Sequence, residues 1–178
     1  IVLDQGKRLW IGLNSGQGHY FWNNLNAESN SVLWSVNIAD LDRNGYQDII
    51  LGGSNDGIKV YYQYQQGFQK VGLDQSLFFS QSATVYDINR DGWMDYTICD
   101  DNAKSKVYIN RKGILELDTN LIQLGLTPSS VEAGNYGILW SDFDQDGDGD
   151  LYISKCRAGV DNPSDKRRIN LYYRNDHG

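Results

Sequence analysis

Asp142-Phe-Asp144-Gln-Asp146-Gly147-Asp148-Gly-Asp150 places five carboxylates in nine residues. The same frame appears twice earlier, as Asp40-Leu-Asp42-Arg-Asn44-Gly45-Tyr46-Gln-Asp48 and Asp87-Ile-Asn89-Arg-Asp91-Gly92-Trp93-Met-Asp95. The shared pattern is D-x-[DN]-x-[DN]-G-x-x-D, repeating at intervals of 47 and 55 residues. Carboxylates this close repel one another unless a cation joins them. A hard divalent cation takes about six to eight oxygen ligands, and alternate residues of a tight turn can aim carboxylates and amides at one centre. The Gly at the sixth position allows the sharp bend.

The flanks decide which kind of loop this is. An EF-hand needs a helix on each side and a bidentate Glu at its twelfth position. Here that position holds Leu51, Ile98 and Ile153. The runs before the loops are Trp34–Ile38, Ala83–Tyr86 and Gly137–Ser141, and those after are Asp48–Leu51, Asp95–Ile98 and Asp150–Ile153. Short β-branched and aromatic runs read as strands. The motif is therefore strand–loop–strand. The expected side-chain ligands are Asp40, Asp42, Asn44 and Asp48; Asp87, Asn89, Asp91 and Asp95; and Asp142, Asp144, Asp146 and Asp150. Tyr46, Trp93 and Asp148 at the seventh position would give a backbone carbonyl, with the Asp148 side chain facing solvent. Calcium, about one ion per loop, suits such a ligand set. Magnesium prefers stricter octahedral geometry and keeps more water. The competing reading is of polar turns held by Asx hydrogen bonds alone.

These repeats resemble the FG-GAP or VCBS repeats of calcium-binding β-propellers, the kind found in integrin α-subunit heads. The third copy, with Asp150–Cys156 and then Asn170–Asp176, is most similar to the cartilage-acidic-protein or ASPIC/UnbV branch. The resemblance implies an all-β fold: a propeller fragment of four-stranded blades, with an Asp-rich calcium loop between the first and second strands of each. It also implies a secreted or cell-surface module that binds a protein partner, with seven blades as the usual ring.

The strand pattern divides the chain accordingly. Residues 1–26 form the end of one blade, 31–72 and 83–118 are whole blades, and 137–178 is a blade lacking its last strand. In the second blade the strands are expected at 33–38, 47–52, 59–63 and 68–71, and in the third at 83–86, 95–99, 106–110 and 114–116. Such a segment does not close a seven-bladed ring alone. The remaining blades would come from a larger chain or a partner. The chain starts at Ile1 without a signal pattern, which reads as a mature or excised piece. Residues 120–135 and 156–166 read as longer connections, either plain surface loops or recognition loops.

Composition excludes several classes. The formal charge is −7, and three divalent ions would bring it to −1. Phosphate binding needs a basic patch, so nucleic acid is not an expected partner. The one basic cluster, Lys166-Arg167-Arg168, follows Asp161 and Asp165 and reads as a solvated loop. No run of about 18 apolar residues exists to span a membrane as a helix. His19 and His177 are the only histidines, Ser15 and Ser31 lack a nearby base, and the Gly-rich run 12–18 lacks the Lys-Ser/Thr ending of a phosphate loop. A non-catalytic module is expected. Cys99 and Cys156 are either buried free thiols or a disulfide between neighbouring strands. The five tryptophans and twelve tyrosines read mainly as inter-blade core. A minority left exposed would suit sugar stacking, the alternative function, and a scaffold for a larger secreted enzyme is the third.

Overall fold

A computed structural model describes residues 2–4, 8–25, 29, 31–77, 79–122 and 133–176. His177, Thr127–Ser130 and most of the 120–135 connection fall outside them.

Among the described residues, fourteen strands form four antiparallel sheets. The first sheet holds β1 (Val2–Asp4), β2 (Arg8–Asn14) and β3 (Tyr20–Leu25). The second holds β4 (Leu33–Ala39), β5 (Asp48–Gly53), β6 (Ile58–Tyr64) and β7 (Gly67–Asp74). The third holds β8 (Ser80–Tyr86), β9 (Asp95–Asp100), β10 (Lys106–Arg111) and β11 (Ile114–Asp118). The fourth holds β12 (Asn135–Ser141), β13 (Asp150–Lys155) and β14 (Leu171–Tyr173). Every sheet is a meander, each strand paired with its sequence neighbour. No α-helix occurs among the described residues; the helical turn there is the 3₁₀ segment Lys166–Arg168.

The expected strands of the two complete sheets lie within one to three residues of those observed. One strand went unread: β1 precedes β2, so the first sheet has three strands rather than two. Three residues, Val2-Leu3-Asp4, carry too little period-two pattern to mark a strand.

The central strands are buried on both faces. All six residues of β5, and all six of β9, are buried. Successive side chains point to opposite faces, so each such strand serves two cores. Ile49 and Leu51 meet Leu9 of the first sheet, while Ile50 packs with Tyr96, Ile98 and Tyr108 of the third. Cys99, Val107 and Ile109 of the third sheet join Ile138, Trp140, Leu151 and Ile153 of the fourth. Each fully buried Ile or Leu stabilises by about 1.5–3 kcal/mol. The sheets are thus held face to face by three successive apolar layers. The first strands β4, β8 and β12 run beside one another along one side of the stack. This is the arrangement of a β-propeller fragment, whose blades radiate from their first strands.

A shared irregularity marks those first strands. Pairing shifts between Leu33 and Ser35, between Ser80 and Ala83, and between Asn135 and Gly137. Bulges at one equivalent place increase the local twist, which lets adjacent sheets splay as blades.

Candidate metal centre

Three backbones bend alike. The fourth residue of each loop is left-handed, with φ of 57° at Arg43, 58° at Arg90 and 64° at Gln145. The sixth is again left-handed, with φ of 89° at Gly45, 82° at Gly92 and 95° at Gly147. The glycines were expected; the left-handed fourth position was not, because neither Arg nor Gln marks such a conformation.

A ladder of Asx bonds holds each bend. Gly45 N–H donates to Asp40 Oδ2 at 2.9 Å, Gly92 N–H to Asp87 Oδ2 at 2.8 Å, and Gly147 N–H to Asp142 Oδ2 at 3.1 Å. The third-position side chains accept from the fifth amides: Asp42 from Asn44, Asn89 from Asp91, Asp144 from Asp146. The fifth accept from the seventh: Asn44 from Tyr46, Asp91 from Trp93, Asp146 from Asp148. The polar-turn reading therefore has real content. The same side chains still hold further oxygen lone pairs.

The ninth-position Asp is buried in all three copies, at 0% exposure for Asp48, 0% for Asp95 and 1% for Asp150. One oxygen accepts the second residue of its loop: Leu41, Ile88 and Phe143, each at 2.8 Å. The other accepts an amide at the far end of the third strand, Gln63 at 2.8 Å and Asn110 at 2.7 Å, or two residues beyond it, Asn175 at 2.9 Å. These aspartates were expected as ligands. The structure shows them as clamps between loop and sheet. Burial pushes the carboxyls of Asp48 and Asp95 up, against the amide donors, and the other loop carboxylates add to it. Asp150 goes the other way, lowered first by the Asn175 amide.

The expected ligands converge unequally. Carboxylate oxygens of Asp40, Asp42 and Asp48 lie within 4.8 Å of one another, as do those of Asp142, Asp144 and Asp146. Opposite ligands of a calcium ion stand about 4.6–5.2 Å apart at the usual Ca–O distance, so this spacing fits. The second loop, with Asn89 at its third position, is not among the carboxylate trios that reach it. Its first-position oxygen tells more. Asp87 Oδ1 and Asp142 Oδ1 are buried and accept no hydrogen bond. A buried, unsatisfied carboxylate oxygen is costly, and a cation is the partner that the donor set suits.

The Asp148 side chain is a correction. It was expected to face solvent, but Asp148 is 2% exposed, with Arg90 of the preceding loop 3.4 Å from its Oδ2. Arg90 comes from the stacked third sheet, so the burial depends on packing that the loop's own sequence does not carry; beside it, Gly149 lets the Tyr86 ring press against the loop backbone. Tyr46 remains 39% exposed, with its ring outside the loop.

Other candidates resolve simply. Cys99 and Cys156 are free thiols, the first buried and the second exposed. Among the tryptophans, Trp140 is core, donating from Nε1 to Thr97 Oγ1 at 2.9 Å, while Trp22 and Trp34 are 51% and 41% exposed. Most of the tryptophans and tyrosines are buried or half-buried, and a minority is exposed. Arg167 of the basic cluster is engaged by Asp165. Residues 156–166 carry turns capped by Asp165, not a strand.

The site class is therefore an acidic strand–loop–strand repeat, with one copy in each of the second, third and fourth sheets of the stack. Residues 40–98 and 87–153 each match the FG-GAP-like repeat, every match running from the first Asp of one loop to the strand beyond the next. Together they span residues 40–153, well over half the chain, and the chain belongs to the FG-GAP-like repeat family. No match to a curated protein was found.

Proposed function

We propose that this is a non-catalytic, calcium-stabilised propeller segment that works outside the cell as a protein-binding or scaffold module. The observation that carries the reading is the pair of buried, unpartnered oxygens, Asp87 Oδ1 and Asp142 Oδ1, at the same position of two loops. The first-, third-, fifth- and ninth-position side chains, with the seventh carbonyl, would hold the calcium ion. It supplies only charge and oxygen coordination. The residues do the rest: the Asx ladder shapes the loop and the ninth Asp locks it to the sheet. An ion bound only to the folded form stabilises by mass action, about 2.7 kcal/mol at a hundredfold excess over Kd. Millimolar extracellular calcium suits loops of this kind. The protein-binding surface is assigned to the loops that the ions hold rigid. Within the family, the tail after the third loop favours the cartilage-acidic-protein branch, and further blades of the same type would complete the ring.

The test is a calcium titration of the chelator-stripped protein by calorimetry, with melting followed in parallel. About three equivalents and a raised melting temperature are expected. Absence of binding would reduce the loops to polar turns. Magnesium at the same concentration should bind more weakly.

A second reading, carbohydrate recognition, draws on one observation. Tyr20 and Trp22 are about half exposed on β3, their ring centroids 6.0 Å apart, with the Trp22 ring over Gly12. A glycan array on the wild type and on Trp22→Ala separates it from the first reading.

A further inference from the structure

The fourth residue of each loop serves more than the bend. In the first two loops it is Arg, and each guanidinium leaves its own loop for the next one. Arg43 donates to the carbonyl of Gly92 and stands 4.5 Å from the Trp93 ring centroid. Arg90 reaches Asp148 at 3.4 Å. The residues contacted are the sixth and seventh of the following loop. The sixth is the glycine whose amide holds the first Asp, as Gly92 holds Asp87 at 2.8 Å. The seventh gives the carbonyl assigned to the cation. A second bridge runs parallel to the first: Asn110 Nδ2 donates to Leu41 O in the first loop at 2.8 Å and to Met94 O in the second at 3.1 Å. Both amide hydrogens are thereby used, so Asn110 spans two loops with no donor to spare.

We propose that Arg43 and Arg90 are positioning residues that couple neighbouring cation loops, so that filling one loop raises the affinity of the next. The inference rests on the calcium reading above. Two effects oppose each other at these arginines. A guanidinium repels a nearby divalent ion, and it also fixes the rim that coordinates the ion. The repulsion is weak because both side chains lie largely in water, Arg90 with 53% of its side chain exposed, where solvent and salt screen charge. The positional effect is not screened. Arg43 restrains the sixth-position carbonyl of the second loop directly, and Arg90 restrains the third loop through the buried seventh-position side chain of Asp148, each guanidinium being anchored in the preceding loop. Ordering one loop therefore prepays part of the ordering of its neighbour. Coupling of this kind is reciprocal.

The experiment follows the amide resonances of Gly45, Gly92 and Gly147 during a calcium titration, one glycine reporting each loop. The third loop is disabled with Asp142→Ala. In the otherwise wild-type chain this should weaken calcium at Gly92 by about fivefold or more. In an Arg90→Gln background it should change nothing further. Gln is what the third loop itself carries at this left-handed position, so the variant keeps the bend. Asp148→Asn, which leaves the arginine untouched, should act as Arg90→Gln does. Affinity at Gly92 indifferent to the third loop, or still falling in the Arg90→Gln background, overturns the coupling while leaving the calcium sites standing. Glycine resonances that do not respond to calcium at all overturn both.

Discussion

The Asp95 carboxylate accepts the backbone amide of Asn110 at 2.7 Å, and by that bond the second acidic loop is fastened to the third strand of its own sheet. Its other oxygen accepts Ile88 N–H at 2.8 Å. The same two bonds recur at Asp48 and Asp150. Asp95→Asn keeps the size and one acceptor but turns the other into a donor facing a buried N–H. An unsatisfied buried donor costs about 1–3 kcal/mol, with a melting shift of about 2–4 °C per kcal/mol at this chain length. The loss should appear in chelator, before any ion is added. Asp87→Asn, at the first position, should instead leave the chelator-treated melt nearly unchanged and weaken calcium. Scanning calorimetry with and without calcium checks the pair.

Gly149 marks a different constraint. A Cβ there would run into the Tyr86 ring, which stacks on Trp140 at 6.3 Å and 13°. Gly149→Ala should push Tyr86 from that stack and cost about 1–3 kcal/mol by overpacking. The urea midpoint should fall with little change in slope. An unmoved midpoint would show that the ring slides aside freely.

Asp74 joins two sheets and sets a pH dependence. Its Oδ2 accepts Lys106 Nζ at 2.6 Å and Tyr108 OH at 2.7 Å across the boundary between β7 and β10. Burial works against the charge, but donors from Lys106, Ser76 and Tyr108 outweigh it and hold the carboxyl well below its usual range. A depressed folded-state pKa gives stability that is complete above the ordinary carboxylate value, about 3.9, and is lost as pH falls below it. Asp74→Asn should thus cost about 1–3 kcal/mol at neutral pH, and the gap to wild type should narrow below about pH 4. Denaturant unfolding of both proteins at pH 7 and pH 3 reads the difference.

The two thiols should separate cleanly. Burial lifts the Cys99 thiol to about 11, and Cys99 is 0% exposed between the third and fourth sheets. Cys156 lies exposed after β13. A thiol reagent at neutral pH should modify one cysteine quickly and the second only as fast as the sheets open. Slow labelling at both positions would mean that Cys156 is covered in solution.

Sequence alone carried the repeat, the strand type and the glycine bend of the acidic loops. The Asp, Asn and Gly spacing is local information: each loop's acidic and amide side chains lie within nine residues, and β-branched flanks announce strands without reference to anything distant. The two complete sheets were legible for the same reason. Tertiary structure decided what depends on neighbours. No spacing shows that Asp95 must meet Asn110, fifteen residues on, because that bond arises only when β10 pairs beside β9, or that Arg43 and Arg90 cross to the following loop, because those contacts arise only when sheets stack face to face. Burial of Asp148, exposure of Trp22 and separation of the cysteines are likewise properties of packing. A side chain's type fixes what it can bond; only the fold fixes what stands beside it.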